Sequence, residues 1–437
     1  MSDLSVNIRS QDIEVLLSPK DYYQRLLSLI AEAKTRIYIT ALYLENDAAG
    51  QQVLTALYQA KQNNPELDVC IFVDAHRAQR GLIGQEKSLG NRAMYQQFAQ
   101  QYNYAIDIYG IAVKTKELLG VLHLKGMVFD DQLLYSGASI NNVYLQQREK
   151  YRLDRYYQLN SATLANSVVA YLQRTFVESG VAIDLTTTEL LNAKQQKILS
   201  RQTTSIVKRA NYRVNHIDQA GELTVTPLVG CGKRNNPLNQ TICQKIKESQ
   251  QEIIIFTPYF NLPRIVIKHL VAALKRGVRV TLVVGDKSAS DFFIKPGDNY
   301  SFIGVIPYIY EQILRRFVKR WRRYINNGQL NIKLWCDGDN SYHAKGMVID
   351  QRWHLITGSN LNPRAWALDL ENGLLIDDCQ QSLQQRFNNE YQRITQNTRS
   401  LSDYRQLEAI NDYPIQPKKL LRRLSLAKID RVLKRLL

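Results

Sequence analysis

One eight-residue pattern occurs twice in this chain and limits what it can fold into. H-x-K-x-x-x-x-D reads as His123, Lys125 and Asp130, then as His343, Lys345 and Asp350, and both copies continue Lys-Gly-Met-Val. With Lys and Asp each at about one residue in twenty, six histidines would give on the order of 0.015 accidental copies. Other landmarks repeat at nearly the same distance. The offset is 216 residues at Ile37 and Ile253, 212 at Asp74 and Asp286, and 220 at His123 and His343. A near-constant offset means duplication of a whole domain, with small changes in the loops.

Within each half, a polar helical pattern runs into a β-rich strand closing on an aromatic, Tyr43 or Tyr259. A second helical stretch follows (51–62, then 264–276), and after it an apolar strand ending in Asp74 or Asp286. Strand–helix–strand alternation predicts an α/β fold, each lobe a mixed, mostly parallel sheet flanked by helices. The expected division is an N-terminal lobe over 1–185, a linker over 186–222, a C-terminal lobe over 223–400 and a basic tail over 401–437. Polar composition without strand periodicity marks the linker, which is compatible with a helix.

The 437 residues carry 57 Lys+Arg against 40 Asp+Glu, a formal charge of +17, which calls for an anionic partner such as nucleic acid or lipid headgroups. At 45% hydrophobic and 22% charged residues, the composition is that of a folded protein. Cys70, Cys231, Cys243, Cys336 and Cys379 are scattered and form no C-x-x-C pair, so the expectation is free thiols in a reducing compartment. No apolar run approaches the roughly 18–20 residues of a spanning helix, and Met1-Ser-Asp-Leu-Ser lacks the order of a secretory signal.

The motif spacing suits extended backbone. At period two, His123 and Lys125 share one face, as do His343 and Lys345. A lysine neutralises phosphoryl oxygens while a neutral imidazole acts as nucleophile or proton carrier, so the pair fits a phosphate that is held and attacked. Two facing pairs supply one nucleophile and one general acid, which places a single site at the interface of the lobes. Downstream, Gly137 to Asn141 and Gly358 to Asn362 share Gly-x-x-x-Asn. The glycine permits close approach, and Asn141, Ser359 and Asn362 are candidates for phosphate or substrate contact. Farther on stand Asp154 and Glu371. Either acid would fix the tautomer of a catalytic imidazole, and Glu371 is also a candidate substrate contact.

Two basic amphipathic segments lie outside the repeat. Residues 313–324 carry Ile313, Leu314, Phe317, Val318, Trp321 and Tyr324 on one helical face, with Arg315, Arg316, Lys319, Arg320, Arg322 and Arg323 around it. That stripe either packs into the core or meets a lipid surface. In the tail, after an expected break near Ser425, a stripe from Leu426 to Leu437 opposes Lys428, Arg431, Lys434 and Arg435. His76, just after a strand end, either binds ligand or ties a loop.

The paired H-x-K-x-x-x-x-D elements, each followed by Gly-x-x-x-Asn, resemble the phospholipase D superfamily. The stretches ITALYLEND, DAHRAQRG, LHLKGMVFDDQLLYSGASINNVYL, TPYFNLP and GSNLNPRAWALDLENGLLI narrow the resemblance to its bacterial phosphatidylserine synthase family. Ala138 stands where the superfamily usually has serine. The resemblance implies two duplicated phospholipase D-like lobes and transfer of phosphatidyl from CDP-diacylglycerol to L-serine, releasing CMP. It implies catalytic histidines, phosphate-binding lysines, and Asp130 and Asp350 set mostly behind them within the catalytic motif. It further implies no metal or other cofactor.

A nuclease of the same superfamily would also be basic, but it should interleave aromatics with basic residues along a groove for the strand. Here the basic clusters fall on amphipathic helices, which favours an anionic phospholipid surface, with nucleic acid not required. The expected location is cytoplasmic, peripheral on the inner face of the bacterial cytoplasmic membrane. His123 is taken as nucleophile and His343 as acid, an assignment the sequence alone permits in either order.

Overall fold

The computed structural model describes residues 4–79, 90–189, 191–215, 220–295 and 297–426. Each half is built on one sheet. The first runs in the order Ala182–Asp184, Asp107–Ile111, Asp68–Asp74, Arg36–Thr40, Gly126–Phe129, Gln132–Ser136, Tyr156–Asn160, Ile13–Leu16. The second runs Val6–Ile8, Leu223–Cys231, Leu370–Asp377, Trp353–Thr357, Gly346–Ile349, Glu252–Thr257, Arg279–Gly285, Leu330–Trp335, Thr398–Ser400.

The duplication is visible in the register. Arg36–Thr40 lies parallel to Asp68–Asp74 with Ile37 opposite Val69, and Glu252–Thr257 lies parallel to Arg279–Gly285 with Ile253 opposite Val280. The crossover helices Ala48–Asn63 and Arg264–Lys275 connect them, as the alternation requires. On the other side of each first strand stands the motif strand, antiparallel, with Ile39 opposite Met127 and Ile255 opposite Met347.

Both sheets are mixed, but antiparallel pairs outnumber parallel ones, contrary to the expected parallel majority. Within these two sheets, parallel pairing is confined to the strands around the crossover. The motif strands instead enter hairpins, through a two-residue turn at Asp130-Asp131 and a three-residue turn at Asp350-Gln351-Arg352, and turns that short only join antiparallel strands. Asp130, Asp350 and Gln351 adopt φ near +51°, +53° and +54°, the left-handed conformation that such turns demand.

The halves share a core. Leu122, Tyr135 and Tyr157 of the first pack in one apolar cluster with Val229, Leu370, Leu374 and Phe387 of the second. Val6–Ile8 pairs with Leu223–Cys231 and so belongs to the second sheet despite its place at the chain start. The 186–222 segment contains the helix Ala193–Val207, capped by Asn192 and Gln195, and Val207 enters the shared core.

The helix Ile306–Asn326 buries Leu314, Phe317, Val318 and Tyr324 against the second sheet, so the 313–324 stripe is a core element. Arg316, Lys319, Arg320, Arg322 and Arg323 remain exposed. Arg315 is half-buried, its guanidinium 4.9 Å from the Tyr404 ring and bonded to the Leu407 carbonyl at 3.2 Å. The segment after 401 also packs on this half, with Leu421 and Leu424 of the helix Ile415–Leu426 buried beside Val305, Tyr308 and Tyr413. Lys428, Arg431, Lys434 and Arg435 lie outside the described residues. Among the described residues no helix is long and apolar enough to cross a membrane.

Candidate active site

Each motif segment leaves its own sheet to bond with the other half. The His123 amide donates to the Leu370 carbonyl at 2.9 Å, and the Leu370 amide to the Val121 carbonyl at 3.0 Å. Symmetrically, Ser341–Tyr342 pairs with Arg152–Leu153, and the His343 amide donates to the Leu153 carbonyl at 2.8 Å. His123 and Lys125, and likewise His343 and Lys345, therefore sit on extended backbone just ahead of their strands, at the seam. All four are buried, Lys125 and Lys345 to 2% and 1% exposure.

The supporting groups also cross over. His123 Nδ1 lies 2.9 and 2.8 Å from the two carboxylate oxygens of Glu371. Asn372 accepts from the Lys125 amide and donates to the Lys125 carbonyl, each at 2.8 Å, which holds the lysine backbone from both sides. In return Asp154 of the first half accepts from Lys345 Nζ at 2.7 Å and lies 3.4 Å from His343 Nδ1. Tyr144 OH is 2.8 Å from the same Nδ1, and Lys345 Nζ also touches it.

The glycines of Gly-x-x-x-Asn fit this crossing. A Cβ on Gly358 would stand 2.6 Å from Lys125 Cγ, and one on Gly137 would stand 2.7 Å from Lys345 Nζ. Each glycine thus makes room for the lysine of the opposite half.

The electrostatics follow from burial. Desolvation, reinforced by Lys125 and Lys345, drives His123 well below the ordinary histidine range. Desolvation and Lys345 take His343 down to about 4, so both rings are neutral at pH 7. Burial lowers Lys125 to about 7 against the pull of Glu371, and lowers Lys345 against that of Asp154. Burial and Asp369 push Glu371 upward. Yet both its oxygens sit almost equally on one ring nitrogen with Lys125 and Lys345 nearby, the arrangement of a carboxylate receiving one N–H. His123 then presents a bare lone pair at Nε2.

The two lysines differ. Lys345 Nζ has Asp154, whereas Lys125 Nζ is buried with no hydrogen-bond partner among the described residues. A buried lysine without a hydrogen-bond partner beside a neutral imidazole has the chemistry to hold an anion.

Other candidates land elsewhere. Asp130 does not reach the histidines. Its carboxylate accepts from the amides of Lys34, Thr35 and Arg36 at 2.9, 2.8 and 3.1 Å, and Asp350 accepts from Gln250, Gln251 and Glu252 at 2.9, 2.7 and 2.9 Å. At the far end of the motif strand, each pins the start of the neighbouring strand. Asn141 Oδ1 accepts from the Tyr144 amide and its Nδ2 donates to Glu45 at 2.8 Å, so its amide is satisfied within its own half and orients Tyr144. Asn362 Oδ1 caps the helix Pro363–Ala367 through the Ala365 amide. Ser359 Oγ accepts from the Leu361 amide at 3.4 Å, which leaves its hydroxyl proton available for an oxyanion. Glu371, the remaining candidate, contacts His123 through both carboxylate oxygens. His76, in the short helix Ala75–Ala78, bonds the Lys114 carbonyl through Nε2 at 2.8 Å and so ties that helix to a loop. The sequence reading missed Tyr144, Asn372 and Asp74; the last is fully buried and accepts from the Leu122 amide at 2.9 Å, just ahead of His123. Asn372 had a signal, as the neighbour of Glu371, whereas nothing periodic marks Tyr144.

This geometry agrees with what the chain is similar to. The family model described as "Cardiolipin synthase, PLD-like domain" matches residues 26–176 and 242–395, one segment per half. The CDP-diacylglycerol–serine O-phosphatidyltransferase of Haemophilus influenzae is 42% identical over 98% of this chain and 96% of its own length. That of Escherichia coli is 43% identical over 98% and 94%. The crystal structure of the Haemophilus influenzae phosphatidylserine synthase superposes with a TM-score of 0.95 at 41% identity, covering 100% of this chain and 98% of that one. The two crossed His–Lys pairs are thus those of a phospholipase D-like protein, and the chain belongs to the CDP-diacylglycerol–serine O-phosphatidyltransferase family of that superfamily.

Proposed function

We propose that this chain moves the phosphatidyl group of CDP-diacylglycerol to L-serine through a phosphatidyl-histidine, with CMP as the first product. The observation that carries the reading is the orphaned Lys125 ammonium beside His123, whose Nδ1 is held by Glu371. His123 Nε2 attacks phosphorus, forming the N–P bond as the P–O bond to CMP breaks. The anionic diphosphate raises the pKa of nearby His343, so the ring takes up a proton and delivers it to the departing CMP oxygen. In the second step neutral His343 removes the serine hydroxyl proton, and the serine oxygen bonds to phosphorus as the N–P bond breaks. Lys125, Lys345 and Ser359 stabilise the phosphoryl oxygens; Asp154, Glu371 and Tyr144 hold the imidazoles.

Serine as acceptor, and CDP-diacylglycerol as donor, are supported by the names of the relatives. Purified protein given CDP-diacylglycerol in mixed micelles and labelled serine should release CMP and move the label into lipid. CMP release with no label in lipid at any serine concentration would overturn the reading in favour of a hydrolase.

The substrate lipid stays in its bilayer, so the enzyme works as a peripheral protein on the inner face of an anionic cytoplasmic membrane. The exposed basic row Arg316, Lys319, Arg320, Arg322 and Arg323 supports this, at about 1 kcal/mol per residue near such a surface. Reversing Arg316, Lys319 and Arg320 to Glu should weaken sedimentation with anionic vesicles. Undiminished pelleting at low salt would remove this helix from the contact surface.

A further inference from the structure

Near His343 lies a charged pair that the chemistry above does not use. Arg152 and Asp291 face each other at 3.6 Å through Nη1 and Oδ2, and their side chains are 14% and 21% exposed. Arg152 is fixed next to the histidine by the pairing of Arg152–Leu153 with Ser341–Tyr342, and its Nε donates to Ser341 Oγ at 3.2 Å. Two tyrosines line the gap between pair and imidazole. The Tyr144 ring is 5.5 Å from the His343 ring and carries the Arg152 guanidinium 4.7 Å from its centre. The Tyr259 ring is 6.0 Å from His343, and its hydroxyl donates to Asp291 Oδ1.

This pair differs from a structural ion pair in the same protein. Arg155 and Glu390 meet through two parallel bonds at 2.9 and 2.7 Å with side chains 2% and 6% exposed. Arg152 touches Asp291 with one nitrogen at a longer distance, and its Nη2 has no partner among the described residues. Loose pairing, accessibility and an aromatic wall are features of a binding site for a small solute that carries both charges.

We propose that Arg152 and Asp291 form the acceptor subsite, Arg152 holding the carboxylate and Asp291 the ammonium of the incoming amino acid, with Tyr144 and Tyr259 as its walls. The guanidinium fork suits a carboxylate, and an ammonium is favoured both by a carboxylate and by aromatic faces. A zwitterion fixed by these two groups presents its side-chain hydroxyl to His343, the base assigned to the second step. The inference rests on the reading of the chain as a serine-using phosphatidyltransferase.

The test uses the partition of the phosphatidyl-enzyme between serine and water, because a product ratio does not depend on how much enzyme is active. Phosphatidylserine and phosphatidic acid are quantified together as L-serine is varied, for wild type, R152Q, R152K and D291N. R152Q and D291N should need at least tenfold more serine to reach the wild-type product ratio, with R152K between them. Ethanolamine, which lacks the carboxylate, should gain on serine as acceptor by a similar factor in R152Q. If the serine dependence of the ratio shifts by less than threefold, or if both products vanish together in R152Q and D291N, the pair holds the halves together and the subsite is overturned. A wild-type protein that makes no phosphatidylserine would instead overturn the functional reading itself.

Discussion

Glu371 receives the Nδ1–H of His123 on both carboxylate oxygens, at 2.9 and 2.8 Å, from a residue 248 positions away in the chain and in the other half of the duplication. The contact sets which ring nitrogen is bare. Glu371→Gln keeps the shape but makes the tautomer with the proton on Nε2 equally available. Turnover should fall by roughly two to four orders of magnitude, as when a histidine-orienting carboxylate is amidated elsewhere, with KM for CDP-diacylglycerol changed little. A loss confined to KM would show that Glu371 serves binding. Kinetics at saturating serine separate the two.

Gly358 and Gly137 differ in what an added methyl would meet. At Gly358 it strikes Lys125 Cγ, on the inner part of the chain and unable to swing away; at Gly137 it meets Lys345 Nζ and Asp154, the ends of side chains. Gly358→Ala should lower stability by about 1–3 kcal/mol, the usual penalty for overpacking, and Gly137→Ala by less. Both should lower turnover, since each displaces a site lysine. Urea unfolding midpoints read the first claim, and an equal midpoint shift in the two variants would contradict it.

Asp130 and Asp350 are fixed motif positions, yet they bond strand starts remote from the histidines. Asp130→Asn should therefore destabilise the fold by about 1–3 kcal/mol, because it weakens charge-assisted bonds to three amides. Turnover per folded molecule should remain within a few-fold of wild type. A thousandfold loss without a change in stability would return Asp130 to the chemistry.

Lys125 titrates near 7 because burial disfavours its charge, and it holds an anion only as the ammonium. Protonation is present below that pH and lost above it. Sulfate, which does not titrate in this range, should compete with CDP-diacylglycerol most strongly below about pH 7, weakening toward a limit of about tenfold per pH unit above it. Lys125→Gln should bind sulfate weakly at every pH. An inhibition constant that is flat from pH 6 to 9 in the wild type would show that another group neutralises the phosphate.

The duplication, the crossover units and the two His–Lys pairs were all legible in the sequence, because repeated spacing and strand periodicity are local. So was an acid after each Gly-x-x-x-Asn. What local pattern does not encode is which half each group serves. Glu371 follows the second motif and acts on the first histidine, and Asp154 does the reverse, because the motif segments cross the seam. The antiparallel majority was missed for a related reason: tight turns of two residues at Asp130 and three at Asp350 outweigh the strand–helix–strand rhythm. The stripe of 313–324 could not be assigned from amphipathicity, since a core face and a lipid face look alike until the second sheet is there to cover Phe317 and Val318.

The central claim is a covalent intermediate on one histidine, and the stereochemistry at phosphorus tests it most directly. CDP-diacylglycerol made chiral at the phosphatidyl phosphorus by isotopic and sulfur substitution is converted with L-serine, and the configuration of the product is read by phosphorus NMR. Two in-line displacements, first by His123 and then by serine, return the original configuration, so the account predicts retention. Inversion would mean that serine attacks CDP-diacylglycerol in a single step and would contradict it.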